Sequence, residues 1–178
     1  SGNKIFKLHF FLEKAALTSH KTVITFGGAY SNHLVATAYA CKQRGLKCIG
    51  IVRGNAAELT SFTTEQCLEF GMQLVPVSRE DYHKKEYPEF LTTLRQTFGE
   101  FLLIPEGGYH PFGMKGASLI MQHEQLQHAT HICTAVGTAT TLAGLVKGGK
   151  PTQNLIAVPV LKNMFDIPER LLYLLGTK

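Results

Sequence analysis

Residues 22–52 read TVITFGGAYSNHLVATAYACKQRGLKCIGIV. The stretch opens on a short apolar run, TVITFG (22–27), passes through a small-residue loop, and continues as a helical pattern from Ser31 to Arg44 that stops at Gly45. A second apolar run, KCIGIV (47–52), follows at once. Strands that are apolar throughout, rather than alternating, are buried on both faces, and a helix joining two of them makes a parallel βαβ unit. The rest of the chain repeats this pattern. Ser61–Phe70 reads as a helix stopped by Gly71. MQLVPV (72–77) reads as a strand whose proline places it at an edge or an end. Residues 79–98 are helical and well charged, and FLLIPEGG (101–108) is a strand running into a glycine turn. A helix from Pro111 to Leu126, the strand HICTAV (131–136), a helix from the GTAT loop to Lys147, the strand NLIAVPVL and the helix MFDIPERLLYLL complete the chain. The alternation predicts an α/β fold of three layers, with mostly parallel sheets covered by helices on both faces.

In such folds ligands sit beyond the carboxyl ends of the strands. Three loops with that placement are rich in small and polar residues: GGAYSNH (27–33), EGGYHPFG (106–113) and VGTATTLAG (136–144). In the last, free N–H groups, the hydroxyls of Thr138, Thr140 and Thr141 and a helix dipole together make a phosphate cradle. It lacks the Gly-Lys-Thr/Ser of a Walker A loop and the spacing of a dinucleotide fingerprint. Ser31 or Asn32 caps the helix after GGAYSNH, and Ser31, Asn32 and His33 form a polar row suited to a carboxylate. The serine is not in GxSxG, which argues against a hydrolase elbow. In GGYHPFG, Tyr109 and His110 are placed to wall a pocket, while Pro111 suits a first helical turn.

Composition narrows the classes. At 178 residues, with 44% hydrophobic and 17% charged residues, the chain has the makeup of a globular protein with a real core. No apolar run is long enough to span a bilayer. The net charge of +5 is spread along the chain, with only Lys84 and Lys85 adjacent, so nucleic-acid binding has little support and a small anionic ligand fits equally well. Cys41, Cys48, Cys67 and Cys133 form no CxxC pair and lie in apolar or helical contexts, which reads as reduced, buried thiols and a cytoplasmic protein. Among the eight histidines, HEQLQH (123–128) misses metalloprotease spacing, and no metal site is expected.

The N-terminus poses a problem of charge. SGNKIFKLHFFLEKA (1–15) reads as a helix capped by Ser1 or Asn3, with Ile5, Leu8, Leu12 and Ala15 at helical spacing. Lys4 and Lys7 then fall at the start of the helix on one face, where the backbone already carries partial positive charge. An anion shared between them resolves the conflict, and phosphate is the natural candidate. A partly desolvated lysine beside another cation also becomes an amine nucleophile.

Taken in series, GNK, TFGGAYSNHLVATA, IPEGGYHPFG and AVGTATTLAG resemble the pyridoxal-phosphate enzymes of the 1-aminocyclopropane-1-carboxylate deaminase and D-cysteine desulfhydrase family, of the tryptophan-synthase β-subunit fold type. The resemblance covers nearly the whole chain. It implies that Lys4 carries pyridoxal 5'-phosphate as an internal imine and that Lys7 lies near the cofactor phosphate. It further implies that Asn32 bonds the cofactor 3-hydroxyl and that Gly137, Thr138, Ala139, Thr140 and Thr141 form the phosphate loop. Ser31 takes a catalytic role over the imine and engages the substrate carboxylate, with Asn32, His33, Gly108 and Tyr109 also at the substrate. The implied organisation is the start of the lysine helix in 1–20, a smaller α/β domain in 21–110 and part of the larger cofactor-binding domain in 111–178, incomplete at both ends. The implied enzyme is a cytoplasmic homodimer acting on a small amino acid, and SNH leans toward the desulfhydrase-like branch. Two other readings of the residues are a non-catalytic relative that binds only cofactor or phosphate, and a generic phosphate-ligand-binding α/β domain.

Overall fold

The computed structural model describes residues 2–18 and 20–176. Ser1, one of the two residues read as a helix cap, lies outside the described residues. Contacts divide the chain into two units. One is Leu12–Glu106, and the other is Gly2–Phe11 with Gly107–Lys178.

The first unit holds a four-stranded parallel sheet in the order β3-β2-β1-β4, made of β1 (Thr22–Gly28), β2 (Lys47–Arg53), β3 (Met72–Val77) and β4 (Leu102–Ile104). Residue alternation assigns the two faces. Ile24 and Phe26 of β1 and Ile49 and Ile51 of β2 share a core with Tyr82 of α4 (Arg79–His83) and Leu94 of α5 (Pro88–Phe98). On the other face Gly50 makes room for Met72 of β3, whose sulfur a Cβ would approach to 2.7 Å, and Leu34 of α2 (Asn32–Lys42) packs beside it. α3 (Phe62–Glu69) packs beside α2. The sheet is therefore covered on both sides, as its apolar strands require. The proline of MQLVPV sits in β3, which pairs with β2 alone among the described residues, at an edge of the sheet.

The charged stretch 79–98 is two helices rather than one. Pro88 restricts Tyr87 to an extended backbone (ψ 140°) and opens α5 at its first turn. Of the four cysteines, Cys41, Cys48 and Cys67 are buried in this unit as read. Cys133 corrects the reading: it is exposed, on a sheet face that no described residue covers. The hydrogen bond with Cys41, and then burial, push the Cys48 thiol far up, so it is an inert thiol.

In the second unit β5 (His131–Val136) and β6 (Asn154–Pro159) pair in parallel, and α8 (Thr140–Gly148) leads out of β5. α8 packs against α6 (Pro111–Ser118) and α9 (Ile167–Leu175) over a core of Met114, Val136, Leu142, Ala143 and Leu174. The helix expected from Pro111 to Leu126 ends at Ser118, passes through a 3-10 turn at Leu119–Gln122, and resumes as the short α7 (Glu124–Gln127). No helix among the described residues is long and apolar enough to cross a membrane.

α1 (Asn3–Leu17) starts in this unit. Leu8 and Phe11 are buried, each burial worth about 2–3 kcal/mol, whereas Ile5, read as part of the same stripe, is half exposed. α6 meets α1 backbone to backbone: a Cβ on Gly116 would lie 1.9 Å from the Phe6 carbonyl oxygen. Gly116→Ala therefore forces the two helices apart and is expected to destabilise the chain by about 2–3 kcal/mol. The denaturant midpoint checks this, and a wild-type midpoint in the variant would show that α6 can shift without loss.

Candidate functional site

The second unit gathers most of the predicted site. Asn3 is the first residue of α1, not its cap, and its side chain has a different task. Its Nδ2 donates to Thr141 Oγ1 at 2.8 Å, while its Oδ1 accepts from Lys4 Nζ at 2.9 Å. Asn3 thus joins Lys4 to the start of α8. Lys4 is half buried, and burial lowers its pKa from the ordinary lysine value.

Lys7 lies one turn along and is only 4% exposed. Its Nζ donates to the Gly107 carbonyl at 3.3 Å. Among the described residues no carboxylate is ion-paired with Lys4 or Lys7. Burial first, and the neighbouring Lys4 ammonium second, bring the Lys7 pKa down to about 7. A buried amine with one carbonyl partner and no counter-charge is a costly arrangement that an anion would relieve.

The loop after β5 supplies what such an anion needs. Ala139 adopts a left-handed backbone (φ 61°) at the N-cap of α8 and gives no side-chain cap, so the first N–H groups of the helix have no acceptor within it. Thr138 and Thr140 hydroxyls lie 2.9 Å apart. Two hydroxyl hydrogens serve that pair and one bond uses only one of them, which leaves a donor. Thr141 Oγ1 accepts from Asn3 and keeps its own hydrogen to give. Gly137 is open around its Cα, where a Cβ would meet nothing within 4 Å.

The turn at Glu106–Gly108 is pressed onto the same groups. Gly107 and Gly108 both have positive φ (63° and 72°). A Cβ on Gly107 would lie 2.7 Å from Thr138 Cγ2, and one on Gly108 would lie 3.3 Å from Lys7 Cβ. Two cations, helix N–H groups and threonine hydroxyls therefore belong to one unit, and the set fits a phosphate. Among the described residues no three His, Cys, Asp or Glu side chains gather closely enough to hold a metal ion.

Tyr109 is half buried beside α9, with its ring centroid 5.2 Å from that of Tyr173 and the Arg170 guanidinium 5.3 Å away. His110 caps α6 by accepting from Phe112 N–H through Nδ1 at 3.1 Å.

Ser31, Asn32 and His33 lie in the first unit, at the carboxyl end of β1. Ser31 is the N-cap of α2, its Oγ accepting from Leu34 N–H at 3.4 Å, and Asn32 opens the helix as an exposed residue. His33 is buried, with its Nε2 2.9 Å from Thr25 Oγ1. Thr25 gives its one hydroxyl hydrogen to the Ile104 carbonyl at 2.8 Å, so His33 Nε2 must be the donor to Thr25. His33 thereby ties α2 to β1 and β4.

Three features escaped the sequence reading. Asn3 looked like a cap, because an asparagine before a helical run has that local meaning. Gly107 acts through its backbone carbonyl, which leaves no mark in residue type. Arg79, Glu58 and Asn55 line a cavity of about 460 Å³ at the ends of β2 and β3, where Asn55 donates to Glu58 at 2.9 Å. No motif marked that cavity.

The model of the family "Pyridoxal-phosphate dependent enzyme" matches residues 1–162. A Thermotoga maritima protein named "Putative 1-aminocyclopropane-1-carboxylate deaminase" is 37% identical over 154 residues, which is 83% of this chain and 49% of that protein. A Pyrococcus abyssi protein of the same name is 31% identical, over 83% of this chain and 46% of its own length. The chain thus spans about half the length of the curated relatives it matches. The crystal structure of an "ACC deaminase homologue" superposes with a TM-score of 0.79 at 26% identity, covering 100% of this chain and 59% of that one. The maize serine racemase shares the fold, with a TM-score of 0.66 at 18% identity, over 87% of this chain and 46% of its own.

Proposed function

The chain belongs to the family of pyridoxal-phosphate dependent enzymes, and on that premise we propose that it is a lyase or deaminase of a small amino acid, with Lys4 as the residue that carries the cofactor. Pyridoxal 5'-phosphate is the family's cofactor, and the relatives' names support a reaction of the 1-aminocyclopropane-1-carboxylate deaminase kind, while the D-cysteine desulfhydrase alternative rests on the SNH motif at 31–33. The observation that carries the reading is Lys7: a buried amine beside a second amine, with no carboxylate paired to either among the described residues. An anion between the two amines would relieve the cost of burying them.

When bound, pyridoxal phosphate supplies an electron sink for negative charge developing on the substrate carbon skeleton. The protein's own residues do the rest. Lys7, the N–H groups at the start of α8, and the hydroxyls of Thr138, Thr140 and Thr141 hold the phosphate, with Gly137 and Ala139 shaping the loop. Asn3 orients the Lys4 amine, which holds and moves a proton at Nζ. Asn32 bonds the cofactor 3-hydroxyl. Ser31 engages the substrate carboxylate with its free hydroxyl hydrogen and takes part in proton transfer. His33 holds α2 in place beneath these two, and Gly108 and Tyr109 bound the substrate. The same reading makes the protein a cytoplasmic homodimer.

Titrating the chain with pyridoxal phosphate is expected to give a saturable visible absorbance band distinct from that of free cofactor. Adding D-cysteine is then expected to release pyruvate, or 1-aminocyclopropane-1-carboxylate to release 2-oxobutyrate. A folded sample that gives no band, or a band with neither oxoacid, contradicts the proposal.

A further inference from the structure

In the first unit, the loop that carries Ser31 and Asn32 is held by a side chain from outside its own stretch of sequence. Within the loop, Ser31 N–H donates to the Gly28 carbonyl at 3.0 Å, and Ser31 Oγ caps Leu34. Ser31 Oγ also rests on bare backbone, since a Cβ on Gly27 would lie 2.7 Å from it. The carbonyl of Ala29 is bonded by the hydroxyl of Ser61, 32 residues away at the N-cap of α3.

Counting protons assigns the direction. Ser61 Oγ accepts from Thr64 N–H at 3.1 Å, which is its capping bond. Thr64 Oγ1 has carbonyl acceptors at Leu59 (3.0 Å) and Ser61 (2.8 Å) for its single hydrogen. A carbonyl cannot donate, so the Ser61 hydrogen is the one shared with Ala29; Thr64 Oγ1, 3.1 Å from Ser61 Oγ, is the more distant of its two possible acceptors. Ser61 therefore does two separable things: as an acceptor it caps α3, and as a donor it fixes the peptide between Ala29 and Tyr30, one residue before Ser31.

We propose that Ser61 is a positioning residue, whose hydroxyl fixes the backbone from which Ser31 and Asn32 project. The proposal rests on the reading above that Ser31 and Asn32 serve substrate and cofactor. A serine at the start of a helix carries the same local signature whether or not it donates elsewhere, so sequence alone shows only the cap.

Three substitutions separate the two roles. Ser61→Thr keeps both donor and acceptor. Ser61→Asp keeps a good cap, but its carboxylate only accepts and would face the Ala29 carbonyl. Ser61→Ala loses both. Hydrogen exchange of the amides of residues 29–35 in the cofactor-free chain is expected to be about tenfold faster in the aspartate and alanine variants, a loss of about 1.4 kcal/mol of local protection, and unchanged in the threonine variant. In the cofactor-loaded chain, kcat is expected to fall about tenfold in the same two variants and to be restored by threonine. Thermal stability should drop in alanine but not in aspartate, because the cap survives there. Exchange in Ser61→Asp equal to wild type overturns the proposal. So does faster exchange with wild-type kcat, which would make Ser61 merely structural. If the wild-type chain itself gives neither absorbance band nor oxoacid, the enzymatic reading fails instead, and hydrogen exchange alone decides whether Ser61 holds the loop.

Discussion

Replacing Lys4 by alanine abolishes the visible band that the wild-type chain gives with pyridoxal phosphate and lowers oxoacid release by roughly 10⁴-fold or more. Affinity for inorganic phosphate falls only a few-fold. The asymmetry follows from the geometry. Lys4 Nζ is half buried and held at 2.9 Å by Asn3, and the same asparagine is anchored to Thr141 at 2.8 Å, so the amine is directed rather than freely rotating. The groups placed to hold a phosphate are Lys7, the uncapped start of α8 and the threonine hydroxyls, all of which remain in the variant. Spectra recorded during a pyridoxal-phosphate titration, with phosphate competition as a second readout, check both halves. A band that persists in the variant removes Lys4 from its assigned role. Equal affinity of both chains for pyridoxal phosphate, without a band in either, would favour a simple phosphate-ligand-binding domain.

Lys7→Met is expected to do two opposite things. Without ligand at pH 7 it stabilises the chain by about 2 kcal/mol, because a buried unpaired amine is replaced by an apolar chain of similar volume. It also weakens binding of pyridoxal phosphate by roughly 100-fold, since a charge-assisted contact to the phosphate is lost. The pH dependence separates these effects. Lys7 titrates at about 7 in the folded chain against an ordinary 10.5. Between those values the unfolded chain binds a proton that the folded chain has released, so wild-type stability rises with pH from about 7 to 10.5. Below pH 7 both states are protonated and the burden of the buried cation is constant. The melting temperature of the ligand-free wild type should therefore climb through this window, and the climb should be shallower in Lys7→Met. A saturating phosphate ligand keeps Lys7 charged when folded and should flatten the slope as well. Parallel pH profiles for wild type and variant would show that Lys7 is not the group responsible.

The sheet was legible because its strands are short and apolar throughout. TVITFG, KCIGIV, MQLVPV and HICTAV all form strands close to their expected limits. Helix continuity was harder to read. Nothing in the charged stretch 79–98 announces a break except Pro88, which starts α5; α4 has already stopped at His83. The segment after Ser118 keeps helical composition while its backbone tightens into a 3-10 turn.

At the site, residues whose type carries their chemistry stood out: two lysines at a helix start, and threonines after a strand. Those that act through geometry did not. Asn3 bridges 138 residues to Thr141, and Gly107 offers Lys7 only its carbonyl, 100 residues away. Such pairings exist only once the chain has folded, and a single sequence holds no record of them.

The residue at the tip of the cradle is an alanine where a left-handed backbone would usually call for glycine. Holding alanine there costs about 1–2 kcal/mol, and its methyl, buried among Met114 and Leu142, offsets part of that. What the alanine provides is preorganisation. Glycine would let the loop wander among many conformers, and an arriving ligand would have to freeze it, losing entropy at the moment of capture. With alanine the loop waits in one shape, and the ordering has already been met during folding.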